Sequence, residues 1–478
     1  MKGLRPAAGH VNRLGGDRSP WVLVAVAGTL SFVAMLDMNI ATMALADIST
    51  DLDVSPAMAQ WTVLGYQLAV VALLLPVGRW LDGGATGGAG LRSALVLAVC
   101  GFALCGLLAA AAPWMAWLAA ARIAQGSFGA LLFVLVPVLV MRSVPPELRG
   151  RAMSVPATLG PLGAVTGPAI GGVLLDTFGW RAVLLVKLPV CLAVLLVAVR
   201  VMPKGGRPAA PGRQPLTDAA LVGSAVAALL LALTLAPTVP AWLLLVVAAL
   251  PPMLWWLRRP AARPVLDVLR ASDASGAYGA VCALATAFAA MYYVVALRLQ
   301  SDSGLSATAT GLTVLSFPLA MGLMGPVGGR VADRYGPRPA AIVGAATTAL
   351  GLTLLALIGG DDWTRGDVAW RLALAGAGMG LYGGPTQTLV MTAAPPGAVG
   401  VAGSLVQLSR GLGFALGPAL AAAVWGLAGP AHGARDALVV SAAAGWLGVL
   451  LLATRRTTVR GGPTGSPAAA PTVSGAEQ

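Results

Sequence analysis

Apolar residues run through this chain in long blocks, not in the narrow stripe of a surface helix. Fourteen blocks stand out, at 21–46, 57–78, 92–112, 114–141, 152–175, 181–202, 218–236, 240–257, 275–298, 308–329, 339–359, 368–391, 400–428 and 435–453. Most are as long as a helix that crosses a bilayer, about 17–25 residues. Only Pro237-Thr238-Val239-Pro240 joins the seventh to the eighth; if 218–257 is one re-entrant hairpin, the spans number twelve. The basic stretch 1–20 leads into the first block without a clear small-residue cleavage site, so that block reads as an uncleaved span. The end, 455–478, is rich in Gly, Pro, Ser and Ala and reads as a disordered cytoplasmic tail. The pattern predicts an all-α polytopic membrane protein.

Charge placement orients the blocks. With the N-terminus in the cytoplasm and the loops alternating, that side receives Arg79, Arg92, Arg142, Arg149, Arg151, Lys204, Arg207, Arg258, Arg259, Arg263, Arg330, Arg334 and Arg338, among others. The outer side receives only Arg181, Arg298, Arg365, Arg371 and Arg435. Basic loops stay inside, which predicts that both termini are cytoplasmic. The net charge of +13 is therefore a topology signal and not a nucleic-acid footprint. Composition agrees: 58% of residues are hydrophobic, 10% are charged, and mean hydropathy is +0.83. The 61 Gly and 34 Pro lie largely within apolar blocks, where they suit helices that pack closely and bend. The four Cys have no metal-ligand spacing, and two His leave little material for a metal site. No metal or cofactor is expected.

Candidate chemistry is sparse, because charge inside a bilayer is costly and tends to be kept for function. Asp37 lies in the first block and Arg122 in the fourth. At about 1.5 Å per residue, Asp37 is about 24 Å in from Trp21 and Arg122 about 12 Å in from the opposite end of its span, so their heights match within a few ångströms. Lys187 and Arg410 are the other intramembrane cations. Lys187 either snorkels to the outer surface or stays within the bilayer; Arg410 either faces a central cavity or packs against the opposite half. Tyr66, Gln67, Gln125, Tyr292, Tyr293 and Gln387 are candidates to line such a cavity, or they serve only to bond helices together. In the fifth block Gly163, Gly167 and Gly171 recur every four residues, with Pro168 and Gly172 beside them. On a helix this is a smooth face that lets a neighbour approach closely.

Four motifs carry a family resemblance. The stretch Gly160–Gly172, GPLGAVTGPAIGG, resembles the antiporter motif of the major facilitator superfamily. LDMNIATMAL, from Leu36, is similar to the first-helix signature L-D-x-T-I-V-N-V-A-L-P, with Asn39, Thr42 and Ala46 departing from it. Arg122-Ile123-Ala124-Gln125-Gly126 resembles R-x-x-Q-G, whose Arg is implicated in proton transfer. The loop signature G-R-x-x-D-R-x-G-R/K occurs twice. Gly78, Arg79 and Asp82 form an eroded copy followed by Gly-rich sequence; Gly329, Arg330, Asp333 and Arg334 form a nearly intact one. In the family this Asp locks the cytoplasmic side against a helix start. The chain is identified as a member of the fourteen-span drug:proton antiporter branch. That implies two six-helix halves, 21–202 and 274–454, and a central segment, 203–273, carrying two extra helices. It also implies a monomer in the cytoplasmic membrane that exports small amphipathic drugs or antibiotics against protons, with Asp37 and Arg122 coupling them. Export of an endogenous product, or uptake by symport, are the transporter alternatives. A membrane-embedded transferase would need a metal-binding acidic cluster or a catalytic His at a membrane edge; the only adjacent acidic pair, Asp361-Asp362, has no second cluster beside it.

Overall fold

The computed structural model describes residues 20–82, 90–202, 213–235, 240–271, 275–301, 307–358 and 363–454. The stretch 1–19, the Gly-rich loop 83–89, the loop 203–212, the Pro237-containing turn, Asp361-Asp362 and the tail 455–478 lie outside the described residues. We number the long helices α1 Trp21–Ile40, α2 Trp61–Trp80, α3 Gly90–Ala110, α4 Met115–Ser143, α5 Arg149–Phe178 and α6 Trp180–Val201. They continue with α7 Arg213–Leu235, α8 Leu244–Arg258, α9 Ser275–Ser301, α10 Ser316–Tyr335, α11 Pro337–Ala356 and α12 Arg365–Ala393. Last come α13 Val399–Gly429 and α14 His432–Ala453, separated where Gly429 takes φ 74°.

Among the described residues ten helices are by length and composition able to cross a membrane, or eleven when the two arms of α5, bent by 40° after Gly167, count as one span. This falls short of the fourteen counted along the sequence. The difference has a physical basis. α8, at 15 residues, is shorter than a bilayer requires, and α7 has side chains outside the described residues on either side of Ala220–Leu229. The third missing helix, α12, is long, but glycines and Pro385, Thr386, Gln387 and Thr388 dilute its apolar content.

Within the first half α1 lies against the glycine face of α5. A Cβ added to Gly163 would collide with the Phe32 backbone; one on Gly167 would sit 3.3 Å from Leu36 O and Ile40 N, and one on Gly171 2.9 Å from Ile40 Cγ1. Pro168 falls inside α5, its side chain outside the described set. In the second half Gly413 and Gly417 of α13 meet α9 backbone in the same way, and Gly344 and Gly378 bring α11 onto α12. Small residues matter here because lipid tails supply no hydrophobic drive between helices, leaving close van der Waals packing to hold them.

The halves meet at one end. Ser404 Oγ on α13 donates to Leu74 O on α2 at 2.6 Å, and Thr388 Oγ1 on α12 to Arg149 O on α5 at 3.4 Å. Gly78 of α2 faces Gly400 O, and Gly329 of α10 faces Arg151 Cα. Between the halves α7 packs on α2, with Gly223 against Ala72.

This packing separates two kinds of glycine. Gly163→Leu should lower the melting temperature of the detergent-solubilised protein, since overpacking costs about 1–3 kcal/mol. Gly172→Leu should leave it nearly unchanged, because a Cβ there meets nothing within 4 Å. Thermostability read by size-exclusion chromatography checks the contrast.

Candidate functional site

The first half buries a cluster of charge. Asp37, three residues from the end of α1, is 1% exposed, and Arg122, eight residues into α4, is 0% exposed. Arg122 Nη1 donates to Asp37 Oδ2 at 2.9 Å and to Gln125 Oε1 at 2.9 Å; Gln125 Nε2 donates to the same carboxylate oxygen at 3.2 Å. Arg122 Nε donates to Thr62 O at 2.9 Å, and its guanidinium lies 4.6 Å from the centre of the Tyr66 ring. The R-x-x-Q spacing explains the geometry. Residues three apart share a helix face, so Arg122 and Gln125 reach one carboxylate together.

The other carboxylate oxygen, Asp37 Oδ1, accepts from Lys187 Nζ. Lys187 stands at the break in α6, between the helical pieces Trp180–Leu185 and Leu188–Val201, and is 2% exposed. Of the two placements open to it, Lys187 takes the one within the bundle and does not reach the surface. The ammonium turns inward because a carboxylate within the bundle satisfies it better than a long reach through lipid does. Its stem runs past Gly106, where a Cβ would leave no room for Lys187 Cε. Each charged residue alone would cost about 2.5–3.5 kcal/mol to insert, so the three persist through one another.

At the end where the halves meet, two carboxylates make matching contacts. Asp82, just past α2, accepts from Gly400 N and Val401 N at 2.8 Å each, capping the start of α13. Asp333, near the end of α10, accepts from Arg151 N at 3.2 and 3.3 Å, capping the start of α5. A carboxylate at a helix N-terminus satisfies orphan N–H groups and gains from the dipole. Burial of the Asp82 carboxyl outweighs the Val401 and Gly400 donors and nearby Arg142, pushing its pKa up to about 6. The basic residues of the two signatures behave differently. Arg79 pairs with buried Asp218 on α7, Arg334 lies 5.3 Å from the centre of the Tyr335 ring, and Arg330 is exposed.

The remaining candidates divide. Tyr66 and Gln125 belong to the charge cluster, and Gln67 is half-buried one residue away. Gln387 is buried in α12. Arg410 of α13 is half-buried and donates to Gln407 Oε1 at 2.8 Å. Tyr292 and Tyr293 are more than a third exposed; Tyr292 lies 6.1 Å from Phe288, which meets Phe317 at 5.0 Å and Phe414 at 6.0 Å. None of Phe288, Phe317 and Phe414 stood out in the sequence, since aromatic residues in apolar blocks look like core.

Residues 27–418, and again 277–475, match the sequence profile of the Major Facilitator Superfamily. The chain belongs to this superfamily. It is a multi-pass membrane transporter and not an enzyme. It is 29% identical over 418 residues to the multidrug resistance protein Stp of Mycobacterium tuberculosis (strain ATCC 25618 / H37Rv), covering 85% of this chain and 76% of that one. It is 29% identical over 423 residues to the tetracenomycin C resistance and export protein of Streptomyces glaucescens, covering 86% and 77%. Its fold is like that of the proton:xylose symporter XylE, with a TM-score of 0.61 at 15% identity over 90% of this chain and 94% of that one. In this transporter the charge cluster lies among α1, α4 and α6, and the paired caps join α2 to α13 and α10 to α5.

The Asp82 cap predicts that the contact between the halves depends on pH. A water-exposed Asp titrates near 3.9, so the closed form holds its Asp82 proton more tightly than an open form would. Protonation thus favours closure; its contribution is complete below about 3.9 and is lost as pH rises through about 6. With spin labels at Glu147→Cys and Thr392→Cys in a cysteine-free background, the short-distance population should fall between about pH 5 and 7, by at most about tenfold per unit. Asp82→Asn should weaken the dependence and leave only the part that Asp333, whose carboxyl burial also pushes up, contributes.

Proposed function

We propose that this transporter is a proton-coupled exporter of small amphipathic drugs or antibiotics, working by alternating access across the cytoplasmic membrane. The observation that carries the reading is the ion cluster of Asp37, Arg122 and Lys187, buried inside an otherwise apolar half. Charge kept at such cost has a job, and beside a central cavity the available job is to bind and release a proton. The glycine face of α5 supports export, being the stretch that resembles the antiporter motif. The printed names of the multidrug and tetracenomycin C relatives point the same way.

In this reading α7, α8 and α12 also cross the bilayer, giving fourteen spans with both termini in the cytoplasm. The Asp82 and Asp333 caps close the cytoplasmic side, and the cavity opens outward between the halves. Tyr66, Gln67, Gln125, Tyr292, Tyr293, Gln387 and Arg410 contact substrate or support those that do. Arg330 and Arg334 orient the second gate loop. The unit is a monomer, and the proton gradient is its energy source.

Expression in an exporter-deficient bacterium tests the function. Ethidium and a panel of antibiotics should accumulate less, and a protonophore should abolish the difference; accumulation equal to the empty-vector strain refutes export. Asp37→Asn should lose uphill ethidium transport while leaving Arg122 and Lys187 without their counter-charge, a loss of about 3–5 kcal/mol for a buried pair. Arg122→Lys keeps the charge but not the planar fork and should be milder than Arg122→Ala. The vesicle assay that reads ethidium uptake under an imposed pH gradient checks all three. For topology, cysteines at Gly206 and Ala262 should react with impermeant maleimide only from the inside. Reaction from outside at either position removes the fourteen-span arrangement.

A further inference from the structure

We infer that Lys187 is the member of the buried cluster that exchanges the proton, with Asp37 as its fixed counter-charge; this rests on the proton-coupled reading above. The starting point is a count of charge. One carboxylate, Asp37, is shared between Arg122 on Oδ2 and Lys187 on Oδ1. With every member ionised the site carries one net positive charge, all three side chains being essentially without solvent contact. A buried charge without a partner neutralises if its chemistry allows. Arginine does not release its proton in proteins. Protonating Asp37 would worsen the imbalance, leaving two buried cations and no anion. Only loss of the Lys187 proton makes the cluster neutral.

The surroundings press in the same direction. Lys187 begins the helical piece Leu188–Val201, whose first turn carries partial positive charge. The titratable groups around it are few. From α1 it faces Asp37; from α4, Arg122 beside neutral Gln125; from α3, Cys105, with Cys100 beyond; from α2, Tyr66 lies behind Arg122; on α6 itself there is Cys191. On α5, which packs against the start of α6, Asp176 is exposed. The Phe102 ring, 5.5 Å from Nζ, and Gly106 wall off the remaining side. No second carboxylate among these neighbours balances the second cation.

The step is simple. The Lys187 ammonium gives one proton to water on one side of the membrane, its N–H electron pair staying on Nζ as the amine lone pair. The amine takes a proton from water on the other side in the return half of the cycle. Asp37 stays a carboxylate and Arg122 a guanidinium throughout, so the cluster alternates between one net positive charge and none.

The composition makes a direct test practical, because Lys2 and Lys204 are the only other lysines. With Lys2→Arg and Lys204→Arg in the full chain, lysine labelled with 13C at Cε gives one NMR signal, from Lys187, in lipid nanodiscs. No substrate is needed. The expected result is that the signal moves from its ammonium to its amine position between about pH 5 and 9, against about 10.4 for lysine in water. In Asp37→Asn it should show the amine across that range. A signal that stays ammonium to pH 9, or that ignores Asp37→Asn, overturns the inference.

The functional arm uses ethidium. Lys187→Arg, permanently charged, should lose accumulation driven by a pH gradient and keep ethidium counterflow without one. Uphill transport equal to the parent overturns the assignment, as does equal loss of both activities, which marks a structural role. If the parent itself moves no ethidium, the exporter reading fails for this probe while the NMR titration still decides for or against Lys187.

Discussion

A carboxylate held between two cations in a place without water is the interaction on which the first half depends. It fixes the depth of α1 against α4, because Asp37 must meet Arg122 and Gln125 together. It fixes the break in α6, because Lys187 must turn inward to reach the same carboxylate. The glycine face of α5 then lets α1 lie close enough for the cluster to be sealed by helices on every side. Removing the one carboxylate leaves two cations buried without balance, so the arrangement turns on Asp37. The second half contains no such cluster among its described residues. It is held by glycine-mediated contacts and a group of aromatic rings. The chain therefore joins one half whose interior is electrostatic to one whose interior is shape.

The caps at the junction are a different use of the same chemistry. Asp82 and Asp333 each end a helix of one half and begin a helix of the other. Backbone N–H groups do most of the bonding, so the contacts tolerate sequence change around them. The first copy of the signature has lost its downstream basic residue, yet its carboxylate still reaches two N–H groups. What must be kept is the acid and the glycine that permits approach, Gly78 in one copy and Gly329 in the other. A lock built from a cap is also easily undone, since water can replace a carboxylate at a helix start.

Much of this was legible in the sequence where geometry is rigid. A fixed rise per residue placed Asp37 and Arg122 at similar heights, and the two side chains meet. The period of four put Gly163, Gly167 and Gly171 on one face, and that face lies on α1. Where reach is flexible, sequence said less. A lysine stem turns either way, and although Pro189 marks a helix break beside it, a break does not say which way Lys187 points. The partner of Arg79 lies 139 residues away on α7, and no local spacing encodes that. The count of spans was read from apolar length, which serves poorly for α12, where glycine does the packing, and for α8, which is short.

The bond between Arg79 and Asp218 has a mechanical consequence. It ties the end of α2 to a helix from the central segment, and separating them would take from buried Asp218 its Arg79 counter-ion. The central pair therefore rides with the first half, giving one body of eight long helices and one of six. In the alternating-access cycle proposed above, two such bodies would not sweep equal volumes of lipid. The heavier one is held more firmly by the surrounding bilayer, and the lighter swings against it. A stiffer or thicker membrane would load the two sides of the cycle unequally, so the lipid itself becomes a setting on the rate at which this transporter turns over.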